Sequence, residues 1–128
     1  MALTTDTRYF ALSEFRHPEL MDIDFVAWLN KVRYEYGYPM TLTSDARTPE
    51  ENAAASGSSP TSRHLVGQAI DAEFPPTANH VWHLVQAVMT VADAHPIELE
   101  LVNGPQDRHV HLAWLQPGRA SALIVAAD

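Results

Sequence analysis

The chain contains no cysteine, which excludes disulfide bonds and any zinc finger built on thiolate ligands. No apolar run approaches the roughly 20 residues that a membrane-spanning helix needs. The first eight residues, Met1 to Arg8, lack the basic segment followed by an apolar run that is typical of a secretory signal. We therefore expect no membrane insertion and a protein that is made in the cytoplasm without a visible export signal.

Basic residues are also scarce: 8 lysines and arginines stand against 16 acidic residues, for a formal net charge of -8. Nucleic acids and anionic membranes are bound by clusters of lysine and arginine, so this charge balance argues against both as partners. An acidic metalloenzyme remains compatible with it, because carboxylates serve as metal ligands and as bases. With 128 residues the chain is predicted to be a single domain, residues 1–128, with one core, and we expect a monomer.

The apolar pattern predicts an α+β domain with two main helices and a small antiparallel sheet. Apolar residues recur near the helical period over about 22–36, before Gly37, and again over about 78–94. Thr48-Pro49-Glu50-Glu51 is a capping box that predicts a short helix after it. Strands are predicted at 40–43, 68–74, 97–102 and 108–114, with one edge strand within the tail 118–128.

Three of the seven histidines fall into a pattern with a carboxylate. His64 and Asp71 lie seven residues apart, and His109 and His111 lie two apart on a predicted strand. Alternate residues of a strand face the same side, so the last two imidazoles are expected to share a face. Two histidines and one aspartate form the ligand set of a catalytic zinc site whose fourth position stays open.

The pairing of the predicted hairpin decides what faces these histidines. If Glu98 pairs with His111, then Glu100 pairs with His109, and the four polar side chains share one face. A slip by one residue would place the intervening leucines on that face instead. The first register suits a site beside a cation, but the sequence leaves both open.

Zinc held by two imidazoles and a carboxylate keeps one position for water and lowers the pKa of that water towards about 7. A nearby carboxylate or imidazole can then accept the proton while a carbonyl group is attacked. An arginine can hold a substrate carboxylate through two parallel hydrogen bonds. Arg47 and Arg63 are the candidates for that contact.

These residues resemble a known family of zinc peptidases. The signature S-x-H-x-x-G-x-A-x-D of the D-Ala-D-Ala carboxypeptidases and L-Ala-D-Glu endopeptidases is matched by Ser62, His64, Gly67, Ala69 and Asp71. His109-Val110-His111 resembles the H-x-H of the wider group that includes lysostaphin and the hedgehog domain, and 43–47 resembles the family's T-S-G-Y-R segment. The resemblance covers roughly residues 13–114 and implies a hedgehog/DD-peptidase-like fold with Zn²⁺ as cofactor.

The resemblance also implies a role for each matched residue. The zinc ligands would be His64, Asp71 and His111. His109 would lie beside the bound water or the oxyanion. Arg47 would contact the substrate carboxylate, with Arg63 as the second candidate, and Ser62 would support the ligands or contact the substrate.

The chain departs from the family pattern at two places. Asp45 and Ala46 replace the usual glycine and tyrosine, which alters the expected substrate subsite. Arg108 stands where many members carry a catalytic acid three residues before the last ligand. Asp107 is the nearest carboxylate and Glu100 lies across the hairpin, so both are candidate general bases, with Asp107 slightly favoured.

The resemblance implies a zinc-dependent peptidase of peptidoglycan stem peptides, either a DD-carboxypeptidase or an L-Ala-D-Glu or LD-type endopeptidase. By analogy with small family members, we expect it to act on the cell wall after lysis or as a virion component, as a phage lytic enzyme would. One alternative is a non-catalytic metal-binding domain of the same fold. The other is a non-haem Fe(II) oxygenase, although such enzymes usually place histidine and acid two residues apart on one strand.

Overall fold

The computed structural model describes residues 2–55, 59, 61–91 and 93–126. Within these residues the helices are α1 (Ile23–Tyr36), α2 (Pro49–Ala54) and α3 (Ala78–Thr90). The strands are β1 (Leu42–Ser44), β2 (Ala69–Glu73), β3 (Ile97–Asn103), β4 (Arg108–Trp114) and β5 (Ala122–Ala126). Short 3-10 turns lie at Leu12–Glu14, Pro18–Leu20 and Arg63–Val66. The predicted α+β class is confirmed, and no helix of the described segments is long and apolar enough to cross a membrane.

The predicted helix signals act as expected at α1 and α2. The carboxylate of Asp22 accepts the first free N–H groups of α1, and Gly37 ends that helix in the left-handed region with φ 81°. In the capping box, the Thr48 hydroxyl accepts from the Glu51 N–H at 3.2 Å. The Glu51 carboxylate in turn accepts from the Thr48 N–H at 2.9 Å, so both ends of the box are formed.

Helix α3 ends at Thr90, four residues before the predicted end at residue 94. Beyond it, the Asp93 carboxylate accepts the backbone N–H of His95 at 3.0 Å, which stabilises a turn that competes with helix. Residue 92 of the predicted helix, and residues 127 and 128 of the predicted tail, lie outside the described residues.

The sheet has the order β1-β2-β4-β3-β5. Its first four strands are antiparallel to their neighbours, as predicted, whereas β5 runs parallel to β3. The expectation of a wholly antiparallel sheet is therefore wrong at this edge. After β4 the chain reverses direction and crosses the end of β3. Strand β5 therefore pairs with the edge of β3 that faces away from β4, and it runs in the same direction as β3.

The hairpin register differs from the expected one by two residues. Glu100 pairs with His111, and Val102 pairs with His109. A shift of two preserves the side-chain face, so Glu98 and Glu100 still share a face with both histidines. Neither of the two pairings considered above is found, but the shared face of the first is. The turn sets this register: the Gly104 N–H donates to the Asp107 carbonyl at 3.0 Å and closes the loop around Pro105.

The opposite face of the sheet forms the core with α1 and α3. One cluster of buried side chains joins the inner faces of both helices to alternate residues of the strands. Phe25 of α1 packs edge-on against Trp114 at the end of β4, with ring centroids 5.5 Å apart. The helices thus cover one face, and the histidine-bearing face is left for a cleft.

Candidate metal centre

The three predicted metal ligands converge on the uncovered face of the sheet. Asp71 on β2 pairs directly with His111 on β4, so their side chains lie next to each other. The Asp71 Oδ1 atom lies 2.9 Å from His111 Nδ1 and 3.5 Å from His64 Nε2. One potential ligand atom from each residue lies within 4.8 Å of the others, a spacing that one divalent ion could bridge.

Gly67 carries the chain from the turn that holds His64 into β2. Its φ is 70°, and a Cβ built there would lie 2.1 Å from the Leu20 carbonyl oxygen. The Gly67 carbonyl accepts the N–H of Asp22 at 3.1 Å. This glycine therefore permits a close approach to the segment before α1.

A backbone carbonyl fixes the orientation of the His64 ring. His64 is 2% exposed, and its Nδ1 lies 2.7 Å from the carbonyl oxygen of Asp45. A carbonyl can only accept, so Nδ1 carries the proton and Nε2 keeps its lone pair on the side of Asp71. The ring is thus held in the tautomer that a metal ligand needs.

A carboxylate of the neighbouring strand holds the His111 ring in the complementary way. His111 Nε2 lies 3.3 Å from Glu98 Oε1, which leaves Nδ1 facing Asp71. Burial alone would lower the pKa of His111, but the hydrogen bonds to Asp71 and Glu98 outweigh it and raise the pKa to about 9. Glu98 pairs with Ala113 across the hairpin, so it reaches His111 from the neighbouring pair on the same face and not as the direct strand partner considered above.

Asp71 is the shared partner of the site. Its burial raises the pKa of the carboxyl, but the hydrogen bond from His111 and the nearby His64 ring hold it below its usual range. Arg47 Nη2 lies 3.5 Å from the other oxygen, Asp71 Oδ2. Two imidazole nitrogens and an ionised carboxylate, with each ring oriented by a second acceptor, are the donors that Zn²⁺ takes in catalytic sites.

Asp45 and Ala46, which replace the glycine and tyrosine of the family segment, are both buried. Asp45 is 3% exposed, and its carboxylate accepts the backbone N–H groups of Arg16 and His17. Burial raises the pKa of this carboxyl, while those N–H groups act in the opposite direction. The Ala46 N–H contacts the sulfur of Met21 at 3.3 Å. The side chain of Asp45 therefore binds the segment before α1, while its backbone carbonyl orients His64.

His109 is oriented by Asp107. The His109 Nδ1 atom lies 2.9 Å from Asp107 Oδ1, and both residues line the cleft beside the metal site. Glu100 lines the same cleft and is the strand partner of His111. The geometry thus gives Asp107 a contact with His109, while the choice between Asp107 and Glu100 as general base stays a prediction.

The predicted substrate contacts all line this cleft, whose volume is about 1010 Å³. Besides Asp71, the Arg47 guanidinium contacts Asn52 at 3.4 Å. The Arg63 guanidinium is bound by the carbonyl of Trp114 and the side chain of Gln68, and burial lowers its pKa. Of the two candidate arginines, Arg47 lies next to the metal site, and Arg63 donates to the protein itself.

Ser62 caps the short turn that carries His64. Its hydroxyl oxygen accepts the backbone N–H of His64 at 3.3 Å. The serine of the motif therefore supports a ligand through its backbone and also lines the cleft. Whether it contacts substrate stays a prediction.

A family model described as Peptidase M15 matches residues 4–113, which include the three converging residues and both candidate bases. No curated protein matches the chain. The match spans most of the 128 residues, and a His-Asp-His group able to hold a metal lies within it. The chain therefore belongs to the Peptidase M15 family of zinc-dependent metallopeptidases.

Proposed function

We propose that this protein hydrolyses peptide bonds of peptidoglycan stem peptides with a Zn²⁺ ion held by His64, Asp71 and His111. The observation that carries the proposal is the convergence of these three ligand atoms within 4.8 Å in an open cleft. The bond cleaved would lie next to a D-amino acid, through either DD-carboxypeptidase or L-Ala-D-Glu or LD-type endopeptidase action.

When bound, the zinc would supply Lewis acidity to the scissile carbonyl and acidity to its water. His109 shares the face of β4 with His111, and Asp107 accepts from its Nδ1. In its protonated form the ring would also donate Nε2–H to the developing oxyanion. Asp107 or Glu100 would accept the proton of the attacking water. Arg47, beside Asp71, would hold a carboxylate of the peptide.

The shape and charge of the cleft support a peptide as the substrate. Its volume of about 1010 Å³ exceeds that of a single amino acid, and it carries both arginines and acidic residues. We propose that the protein acts as a monomer on the cell wall, after lysis or as a virion component, by analogy with small members of the family.

Defined muropeptides incubated with the zinc-loaded protein test this function. We expect new amine termini, identified by mass spectrometry, that disappear with chelator and return with zinc. His64→Ala, Asp71→Ala and His111→Ala should each lose both zinc retention and cleavage. Cleavage that persists in the His64→Ala protein without metal would contradict the proposal.

The same incubation separates the two alternatives. Arg108, at the position of the usual catalytic acid, is the observation that favours a non-catalytic domain. Such a domain would retain zinc without cleaving any stem peptide. Iron-dependent oxygen uptake would instead indicate an oxygenase.

A further inference from the structure

Half of the positive charge of this acidic chain lines one cleft. Four arginines, residues 47, 63, 108 and 119, contribute to its walls, out of 8 lysines and arginines in the chain. The formal net charge of -8 makes this concentration unusual for the molecule. The same cleft also carries four carboxylates, at residues 71, 98, 100 and 107, so its charges balance. An arginine in it can therefore favour an anionic group of a ligand only at its own position, away from these carboxylates.

The four guanidinium groups differ in how they are occupied. Arg47 donates to Asp71 and Asn52, and Arg63 donates to Trp114 and Gln68. Arg108 donates to the Asn103 side chain at 2.7 Å and lies over the Phe74 ring at 4.7 Å. The Arg119 guanidinium, in contrast, makes no hydrogen bond, ion pair or ring contact within the described segments. Arg119 is therefore the cleft arginine whose donors are all available to a ligand.

A tight turn fixes the backbone that carries Arg119. The Arg119 N–H donates to the Gln116 carbonyl at 3.2 Å, and Gly118 between them has φ 89°. Proline at the first central position and a glycine with positive φ at the second are the signature of a type II turn. The side chain is thus presented from a defined position, which lowers the ordering cost of binding.

The topology places Arg119 across the metal site from Arg47. Arg47 follows β1 at one edge of the sheet, whereas Arg119 precedes β5 at the other edge, with Asp71 and His111 on strands between them. The β4–β5 connection leads into β5 where Ala122 pairs with Glu98. The positive charge of Arg119 contributes to holding the pKa of Glu98 below its usual range, after the larger effect of the hydrogen bond to His111.

We propose that Arg119 binds a carboxylate of the substrate on the β5 side of the metal site, separate from the carboxylate assigned to Arg47. The inference rests on the proposed function and narrows it: the substrate must be an acidic peptide with anionic groups on both sides of the cleaved bond. Stem peptides, which carry several carboxylates, meet this requirement. The family match ends at residue 113, so Arg119 lies outside the matched residues.

Steady-state kinetics on a stem peptide and on analogues in which one carboxylate at a time is an amide test the proposal. With the fully charged peptide, Arg119→Ala should raise KM about tenfold with little change in kcat, as expected for loss of one charge-assisted hydrogen bond. Arg119→Lys should recover part of this loss. One amide analogue should show the same raised KM with the unsubstituted protein, and Arg119→Ala should add nothing further to it.

Arg8→Ala is the matched control, because Arg8 is an exposed arginine that lies against Tyr9 and Tyr34 instead of the cleft. It removes the same charge and should leave KM unchanged for every analogue. The inference is overturned if Arg119→Ala behaves like Arg8→Ala, or if its effect is equal on all the amides. The proposed function itself fails in a different way, when the unsubstituted zinc-loaded protein cleaves none of the peptides.

Discussion

Glu98 Oε1 lies 3.3 Å from His111 Nε2, so β3 supplies the acceptor that orients a predicted zinc ligand of β4. A carboxylate that accepts from Nε2 fixes the ring and increases the basicity of Nδ1, the nitrogen that faces Asp71. We expect Glu98→Ala to weaken zinc binding by about 10- to 100-fold, the usual effect of losing such a partner. Competition with a chromophoric chelator measures this affinity without requiring turnover.

Glu100 offers a matched control for this prediction. It shares the face of Glu98 and pairs with His111 through the backbone, and no contact with a ligand ring is seen in the described segments. Glu98→Ala and Glu100→Ala remove the same charge, so a larger loss of zinc affinity in Glu98→Ala isolates the hydrogen bond. Equal losses in the two variants would show that charge alone matters and that Glu98 does not position the ring.

His109 is expected to act on the substrate without holding the metal. Because Asp107 contacts His109 Nδ1 at 2.9 Å, the ring is oriented while remaining outside the group of three ligand residues. His109→Ala should keep zinc and lower kcat/KM by about a hundredfold or more, the size typical of a lost acid–base or oxyanion group. Zinc content by mass spectrometry and peptide cleavage together check this, and full turnover in His109→Ala would show the assigned role to be wrong.

The general base can be assigned by comparing two further substitutions. If Asp107 only orients His109, then Asp107→Ala should lower kcat by about tenfold, whereas Glu100→Ala should lower it more because the base itself is lost. If Asp107 is the base, the order reverses. The pair of kcat values, measured with saturating zinc, distinguishes the two assignments.

Gly67 of the motif is predicted to be structural. Its φ of 70° and a Cβ position 2.1 Å from the Leu20 carbonyl oxygen mean that Gly67→Ala combines backbone strain with a clash against backbone. We expect this substitution to lower the free energy of unfolding by about 2 kcal/mol or more. Gly37 has φ 81° but open space around its Cβ position, so Gly37→Ala should cost only about 1 kcal/mol. Urea unfolding checks the order, and equal losses would contradict the clash.

Local signals predicted much of the fold because they depend on neighbours in sequence. The capping box at Thr48, the glycine end of α1 at Gly37 and the strand Arg108–Trp114 all follow from short-range patterns. The strand alternation also predicted which face Glu98 and Glu100 share. Their strand partners depended on the geometry of the turn around Pro105, which the pattern of side chains does not specify.

The parts that sequence reasoning missed depend on contacts between distant segments. The parallel pairing of β5 with β3 follows from the path of a connection, since the residues of β5 carry no directional signal. The role of Asp45 required knowing that the segment before α1 packs beneath the site, because its acceptors bind the N–H groups of Arg16 and His17. The convergence of His64 with Asp71 and His111, in contrast, was predicted, because the resemblance to a family implies that family's fold and ligand set.

His17 and Glu51 form a pH-dependent link between the turn before α1 and the start of α2. His17 Nε2 lies 2.9 Å from Glu51 Oε1, and Glu19, Arg16 and Asp45 are the other charged groups around the pair. The hydrogen bond to Glu51 raises the pKa of His17 above 6.5. The Thr48 N–H, and then His17, lower the pKa of Glu51 from 4.5 to about 2.

The signs of these two shifts define a window of maximal stabilisation. The contribution of His17 is complete below pH 6.5 and is lost as the pH rises through its raised pKa, while that of Glu51 is complete above pH 4.5 and is lost as the pH falls towards about 2. A double-mutant cycle of His17→Gln and Glu51→Gln, with Tm measured in chelator, should therefore show coupling between pH 4.5 and 6.5 that fades on either side. The ion pair exists only where both side chains are charged. A coupling that stayed constant up to pH 9 would therefore mean that packing, and not the ion pair, joins the two segments.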